Sequence, residues 1–446
     1  MDIERIESLL RAGPPAEPRY RPVLALGAMP FASQTPLEPV LGWRARPRRG
    51  RASMAEMSMV IALVVAVVGA GLWIRSTLQG PSIGPPPSPS PSLVSPSPPL
   101  RAVAGADLDA MTRAWATEVD AALGVAVVVD GRIFISGTVH TVAVTRLGPV
   151  SRIYVAAVVL QLVDEGLLSL DDPLARFVPG WPKGESITIR MLLSGSSGVA
   201  SFSEPLDALE QRVAADPSHP GSVDDSLAIA RARSPRFEPG TRPSPADTED
   251  ALLASVIESI SGSGAAEIRR RFLDQIDLRS TFLAGDPVPA AGSTPTGEYL
   301  ISGAEMLRGY RADPTTGVFG PIDDLDPRVL AVLGLARGTG ATAGDLARFA
   351  DAIHRRPDLL SDSSRELLGL PLARGGAGGV EACPCTDDVK RAVVTSGSLG
   401  AYGAMLAWFP DDGTTIAILT DRVVAPAKLQ ALLERIDTLI PVQPSP

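Results

Sequence analysis

Lysine and histidine, two side chains that can activate a serine as general bases, are scarce in this chain of 446 residues. Lys and Arg together number 41, yet we count only three lysines and three histidines. These six residues are Lys183, Lys390, Lys428, His140, His219 and His354. A serine hydroxyl is a weak nucleophile without an adjacent base, so a serine paired with such a residue is the arrangement to look for. The sequence contains no Ser-x-x-Lys, and its one Gly-x-Ser-x-Gly, at 80–84, lies in a Pro/Ser-rich stretch without the strand-to-helix context that a nucleophile elbow needs.

The stretch best suited to position a nucleophile is Gly148–Gly180. Its apolar run Ile153–Leu160 predicts a helix that is buried on nearly every side. Pro149 fits the first helical position, Gly166 fits a C-terminal cap, and Asp172-Pro173 fits the N-cap and first position of a second short helix. The start of the long helix presents unpaired N–H groups and the positive end of its dipole. The residues at that point therefore decide what chemistry is available.

The surrounding elements predict an α+β domain: an antiparallel sheet flanked by terminal and central helices, with an inserted helical lobe. Asp130-Gly131 indicates a hairpin near the start, and Asp411-Asp412-Gly413 indicates another near the end. The expected strands are 124–129, 132–136, 392–395, 401–409 and 415–420, and the expected helices include 108–122, 250–261, 342–354 and one after Pro426.

Several segments of the chain resemble the penicillin-binding-protein-like serine hydrolases, in particular the class C β-lactamase and D-alanyl-D-alanine carboxypeptidase branch. The segments that carry this resemblance are 159–181, 187–199, 237–262, 338–353 and 402–421. Members of that family use a Ser-x-x-Lys at the start of the buried helix, a Tyr-x-Asn loop and a Lys- or His-(Ser/Thr)-Gly strand. The resemblance implies the α+β fold described above and an extracytoplasmic location.

At the first of these elements the chain reads Pro149-Val150-Ser151-Arg152. Pro149 stands at the position of the nucleophile and has neither a hydroxyl nor a backbone N–H. In the family that N–H is one of the two oxyanion donors, and loss of one such donor costs about 10²–10³ in rate. Arg152 stands at the position of the lysine, and a guanidinium does not lose its proton near neutrality.

The other two elements also depart from the family pattern. The second reads Pro245-Ala246-Asp247, so the phenol is missing and Asp replaces Asn. The third reads Thr395-Ser396-Gly397, in which the cation is missing while Ser396 and Gly397 fit. Gly195 replaces a histidine that the family usually has in this region. We therefore predict a catalytically inactive relative that needs no cofactor and binds a peptidoglycan-like peptide or an envelope protein.

An active hydrolase with relocated catalytic residues is the alternative. Ser151 or Ser396 would then act as nucleophile, assisted by Asp247 or Arg152. We expect Ser151 instead to cap the helix or to face solvent. The net charge of −9 argues against non-specific nucleic-acid binding.

The only two cysteines, Cys383 and Cys385, lie in a Gly-rich region. In an oxidising compartment a local disulfide between them is the preferred prediction. A metal site is not expected, because two sulfurs without a neighbouring histidine do not complete a tetrahedral site.

The N-terminal part of the sequence predicts a membrane anchor. The uncharged run 57–74 predicts a transmembrane helix at 57–75, and five arginines precede it between positions 44 and 51. Residues 1–56 would then be a largely disordered cytosolic tail, and 76–100 a Pro/Ser-rich stalk. The domain 101–440 would lie outside the membrane, followed by a tail at 441–446. A cleaved signal peptide is the rival interpretation of the apolar run.

Overall fold

The computed structural model describes residues 103–139, 143–202, 206–284, 286, 305–312, 319–322, 324–372, 382–385 and 390–440. Its strands are β1 Leu123–Val129, β2 Arg132–Gly137, β3 Ala143–Arg146, β4 Thr281–Phe282, β5 Glu305–Met306, β6 Gly309–Ala312, β7 Phe319–Ile322, β8 Gly340–Ala341, β9 Ala382–Cys385, β10 Lys390–Leu399, β11 Tyr402–Phe409 and β12 Thr414–Thr420.

The helices, numbered along the chain, are α1 Gly105–Val119, α2 Arg152–Asp164, α3 Ile189–Leu193, α4 Leu206–Ala215, α5 Val223–Arg231, α6 Asp247–Ser261, α7 Gly264–Ile268, α8 Asp274–Ile276, α9 Pro327–Leu333, α10 Leu335–Gly338, α11 Ala343–Arg355, α12 Asp362–Leu372 and α13 Pro426–Thr438. A π-helical turn, Arg269–Leu273, joins α7 to α8, and short 3₁₀ turns occur at Gly148–Ser151 and Leu174–Arg176.

The main sheet has six antiparallel strands in the order β2-β1-β12-β11-β10-β9. One face packs against the two terminal helices, through residues such as Trp115 of α1 and Leu432 of α13. The other face packs against the central helices α2 and α11. Because both faces are covered, every residue of β1 and of β12 is buried, which accounts for their nearly continuous apolar sequence.

The α+β prediction is therefore confirmed, and the two predicted hairpins form. Asp130 and Gly131 both have positive φ, as a two-residue turn between β1 and β2 requires. β10 is longer than the predicted strand 392–395, because it pairs with β11 as far as Leu399. The region between α2 and β4 is mainly helices and loops and forms the inserted lobe.

The long buried helix lies where the sequence predicted it, with two corrections. Pro149 lies in the 3₁₀ turn that precedes α2, so the regular helix begins only at Arg152. Gly166 has a φ of +70° and follows the last turn, as predicted. Asp172 does not cap the next turn, since Pro173 occupies the N-cap position and Asp172 Oδ2 accepts the backbone N–H of Ser169 at 2.9 Å.

Among the described residues, the helices are too short or too polar to cross a bilayer. The predicted membrane helix 57–75 lies outside the described residues, as do the tail 1–56, the stalk 76–100 and the tail 441–446. The membrane anchor therefore stays a prediction.

Candidate functional site

Pro149 is buried, and its ring lies directly against Gly397 of β10. A Cβ atom built on Gly397 would lie 2.6 Å from Pro149 Cγ and 2.7 Å from Pro149 Cδ. The proline ring therefore occupies the space into which any side chain at 397 would project. This contact brings together the first and third of the motif elements that the sequence analysis singled out.

The second motif element makes a similar contact with a different glycine. A Cβ atom built on Gly195, whose φ is +66°, would lie 2.5 Å from Pro245 Cγ. The backbone N–H of Ser244 also donates to the carbonyl of Gly195 at 2.7 Å. A ring at 245 and the absence of a side chain at 195 are thus sterically coupled.

Arg152 points into the protein and pairs with a carboxylate that the sequence analysis did not identify. Its Nη2 lies 3.3 Å from Oδ1 of Asp250, and the two side chains are 9% and 7% exposed. Burial raises the pKa of Asp250, and the charge of Arg152 opposes this shift only in part. The pair is therefore a desolvated ion pair, and Arg152 offers no basic group to a hydroxyl.

Asp247 pairs with another unanticipated residue, Arg337 of α10. Burial, followed by the nearby charge of Arg152, lowers the pKa of Arg337 to about 10. The Nε of Arg337 is buried without a hydrogen-bond partner. Where the resemblance implies a lysine, the chain thus has Arg152 with Arg337 nearby, and each guanidinium has an aspartate partner.

Ser197 and Glu249 form a serine–carboxylate pair at this site, and the pKa of the carboxylate lies near neutrality. Glu249 Oε1 accepts both the hydroxyl and the backbone N–H of Ser197, and Oε2 accepts the N–H of Ala246 at 3.0 Å. Burial raises the pKa of Glu249 to about 7. However, Ser197 is 1% exposed and Glu249 is equally enclosed. A substrate therefore has no access to this hydroxyl in the described conformation.

The prediction that Ser151 caps the helix or faces solvent is wrong. Ser151 is fully buried, and its hydroxyl is 3.5 Å from the carbonyl oxygen of Thr339. The segment that follows α10 covers it, and that segment is distant in sequence. Burial excludes this serine as a nucleophile for an external substrate.

The third motif element, Thr395-Ser396-Gly397 of β10, is only partly exposed to solvent. Thr395 is 2% exposed, and its hydroxyl is buried without a hydrogen-bond partner, whereas Ser396 and Gly397 are half-buried. Ser396 therefore remains the accessible hydroxyl of this motif. The site has no lysine or histidine at the motif positions to activate it.

Among the described residues, no group of three His, Cys, Asp or Glu side chains is arranged to hold a metal ion. Cys383 and Cys385 stand at alternate positions of β9, and their side chains lie outside the described residues. The predicted disulfide stays a prediction.

Sequence reasoning identified the motif positions but missed Asp250, Glu249 and Arg337. The available signal was a pair of adjacent carboxylates, Glu249-Asp250, within a helix that is otherwise apolar on one side. Arg337 gave no such signal, because it lies 90 residues from its partner Asp247.

A family model and curated proteins have sequences similar to that of this chain. The family model described as Beta-lactamase matches residues 112–438, which is more than half of the chain. Penicillin-binding protein 4 of Amycolatopsis lactamdurans is 29% identical over 238 residues, covering 43% of this chain and 59% of the relative. A penicillin-binding protein of Bacillus subtilis (strain 168) is 24% identical over 316 residues, covering 67% and 65%. The chain thus spans about three fifths of the length of these curated relatives.

Solved structures share the fold at lower identity. The octameric penicillin-binding protein homologue from Pyrococcus abyssi has a TM-score of 0.59 and 21% identity, covering 75% of this chain and 77% of that one. The D-amino acid amidase from Ochrobactrum anthropi SV3 in complex with D-phenylalanine has a TM-score of 0.59 and 15% identity, covering 74% and 98%. The matched family model and the shared architecture place this chain in the Beta-lactamase family, among the penicillin-binding-protein-like serine hydrolases.

Proposed function

We propose that this protein is a non-hydrolytic member of its family that acts by binding at the cell envelope. The ligand would be a peptidoglycan-like peptide or another envelope protein. The apolar segment 57–75 would anchor the chain, with the N-terminus in the cytoplasm and the β-lactamase-like domain outside.

The contact between Pro149 and Gly397 carries this proposal. Hydrolysis by acyl transfer needs a nucleophile and an oxyanion site about 3 Å from the reacting carbonyl. At 149 the chain offers neither a hydroxyl nor an N–H, and the ring fills the adjacent space against β10. A substrate carbonyl would have to displace a buried ring to reach this point.

The charges around Arg152 support the same conclusion. A base that removes a proton near pH 7 needs a pKa near 7. The charge of Arg152 is matched by Asp250, and the neighbouring Arg337 keeps a pKa of about 10. The group with a suitable pKa, Glu249, already accepts two hydrogen bonds from Ser197 in an enclosed position.

Covalent labelling tests the proposal. The purified full-length chain is incubated with a fluorescent penicillin and, separately, with a fluorophosphonate, alongside a penicillin-binding relative as positive control. We expect labelling of the relative alone. Peptide mapping of a covalent adduct to any serine between 101 and 446 would contradict a non-hydrolytic function, and an adduct at Ser396 or Ser197 would identify the alternative active enzyme.

A repair variant strengthens this test. Pro149→Ser with Arg152→Lys restores the two side chains of the first element. We expect no turnover of a chromogenic β-lactam, because Pro245, Thr395 and the Asp247–Arg337 ion pair remain. Turnover by this variant would show that the other two elements are dispensable and that the first alone was lost.

A further inference from the structure

A basic surface lies on the helical lobe, next to the loop that carries Pro245. The twelve residues 231–242 contain four arginines and a single carboxylate, Glu238, although the chain as a whole has a net charge of −9. Lys183 lies beside this segment and pairs with Glu238. We call the five cations Lys183, Arg231, Arg233, Arg236 and Arg242 the basic face; all five are exposed.

Contacts between side chains show that these cations belong to one surface. Lys183 and Arg233 line the same small pocket together with Trp181, and the guanidinium of Arg231 lies 5.2 Å from the centre of the Trp181 ring. Gly198 lines that pocket too, and a Cβ built on it would lie 3.2 Å from the ring of Phe237. The cationic surface is therefore continuous from Trp181 to Phe237.

Phe237 carries two further guanidinium groups. Arg242 lies 4.7 Å and Arg236 lies 5.8 Å from the centre of its ring. A guanidinium stacked on a ring keeps its N–H edges free, because the donors lie in the plane of the group. Within the described residues, Arg231 and Arg242 have no carboxylate partner, so their charges remain available to a ligand.

The other two arginines hold the segment in place. Arg233 donates to the carbonyl of Ser201 at 2.6 Å, and Arg236 donates to the carbonyls of Ser244 and Pro245 at 3.0 Å each. The fold thus fixes the positions of these two guanidinium groups. Less conformational entropy is lost when a preorganised group binds its ligand.

We propose that the basic face binds a flexible, linear chain of phosphate groups of the polyphosphate type. Arginine pairs with phosphate through two parallel N–H···O bonds, and several guanidinium groups on one surface can repeat this contact along a polymer. A polymer is favoured over a single phosphate because the charges form an extended surface rather than an enclosed pocket. This inference does not depend on the proposed loss of hydrolysis, since none of the five cations is a motif residue.

Two other polyanions fit the surface less well. Single-stranded nucleic acid binds by stacking its bases on exposed aromatic rings, but Trp181 is buried and guanidinium groups lie over both rings. An anionic membrane surface favours apolar side chains that insert beside the cations. The large exposed apolar residues of the described chain are Ile135, Leu167 and Val423, all outside the basic face.

Titration calorimetry of the full-length chain with long-chain inorganic polyphosphate, at several salt concentrations, tests this proposal. Arg231→Gln with Arg242→Gln removes the two stacked cations that have no carboxylate partner. We expect its affinity to fall roughly tenfold or more, because a charge-assisted hydrogen bond contributes about that much. The slope of log affinity against log salt should become shallower by about one for each arginine removed.

The matched control is Arg113→Gln with Arg132→Gln. These exposed arginines lie on α1 and β2, away from the basic face, and Arg132 also lies over an aromatic ring, that of Phe134 at 5.5 Å. The control changes the net charge equally, so wild-type affinity is expected. Equal weakening by both double variants would refute a specific face and leave only a net-charge effect.

Three further measurements complete the test. Arg231→Lys with Arg242→Lys keeps both charges, so we expect an unchanged salt slope with reduced affinity. Thermal melting should give the same midpoint for all variants, since the changed side chains are exposed. Tighter binding of single-stranded DNA, or of phosphatidylglycerol over phosphatidylcholine vesicles, in a manner that depends on Arg231 and Arg242 would overturn the polyphosphate assignment.

Discussion

The two ends of α2 both bury an arginine beside carboxylates, but the two arrangements differ in how completely they are hydrogen-bonded. At the C-terminal end, Arg271 donates to Gln161 at 3.0 Å, to both carboxylate oxygens of Glu165, and to Glu267. At the N-terminal end, Arg152 approaches a single oxygen of Asp250 at 3.3 Å. The arrangement at the C-terminal end is a network in which the arginine makes several hydrogen bonds to its partners. The arrangement at the N-terminal end is an ion pair with a single contact, which we call sparse.

At the C-terminal end of α2 the pKa of an arginine is raised and that of a carboxyl group is lowered. At the N-terminal end the directions are reversed. Hydrogen bonds that Arg271 donates to Glu165 raise the pKa of Arg271. Burial opposes the shift at Glu267, but hydrogen bonds from Arg270 and Arg271 lower the pKa of that carboxyl. At the other end, burial raises the pKa of Asp250 and lowers that of Arg337. The C-terminal network therefore favours the charged forms, and the N-terminal cluster disfavours them.

This difference indicates what each cluster contributes. A buried ion pair stabilises a fold only when hydrogen bonds repay its desolvation. The C-terminal network meets that condition and is a structural element of the helical core. The N-terminal cluster does not, so its charges are expected to contribute little to stability.

Breaking the C-terminal network should have the largest effect. Arg271→Met leaves Glu165, Glu267 and Gln161 without their shared donor, and we expect a loss of about 3–5 kcal/mol in the free energy of unfolding. Urea denaturation followed by tryptophan fluorescence measures it. The control is Arg270→Met, because that side chain is 62% exposed and also contacts Glu267. Equal losses in the two variants would remove the distinction between a network and a surface pair.

The second-largest difference expected between the two ends of α2 is in the pH dependence of stability. The pKa of Glu249 is raised from 4.5 to about 7 in the folded state. The folded state therefore holds this proton more tightly, and the stability that the group contributes is present below pH 4.5 and is lost as pH rises to about 7. The loss is up to about 3 kcal/mol. Asp250 acts in the same direction.

The pKa of Glu267 is lowered rather than raised, so this group changes the stability with pH in the opposite direction to Glu249. Its lowered pKa gives stability that is present above its ordinary pKa and is lost as pH falls. Between pH 5 and pH 8 the urea midpoint should fall less steeply with rising pH in Glu249→Gln than in the parent. Below pH 4.5 the urea midpoint should fall less steeply with falling pH in Glu267→Gln than in the parent, because that is where the stabilisation from Glu267 is lost. Parallel pH profiles for the two variants would contradict the contrast between the clusters.

Replacing the N-terminal pair entirely should have the smallest effect. Arg152→Met with Asp250→Leu removes both charges and keeps apolar volume. We expect the unfolding free energy to stay within about 1 kcal/mol of the parent or to increase, because a sparse buried pair barely repays its desolvation. The matched change at the other end, Arg271→Met with Glu267→Leu, should remain destabilising, since Glu165 and Gln161 still lose their donor. A large loss in the first variant would show that the N-terminal pair stabilises the fold.

Much of the scaffold follows from local sequence patterns. The apolar run of α2, the hairpin turn at Asp130-Gly131 and the apolar face of α13 depend on residues that are close together in the chain. The strand pairing at Leu399 and the N-cap at Pro173 were not predicted, because both depend on contacts with other segments. Burial of Ser151 was missed for the same reason, since the segment that contacts it is 188 residues away.

The sequence by itself determined that position 149 has no hydroxyl and no N–H, because these are properties of the covalent structure of proline. It also determined the loss of a basic group at 152, since no environment makes arginine a neutral-pH base. Only the tertiary structure decided that the Pro149 ring packs on Gly397, that Arg152 faces Asp250 and that Asp247 faces Arg337. These contacts join segments far apart in the chain, and their geometry depends on the packing of the whole core.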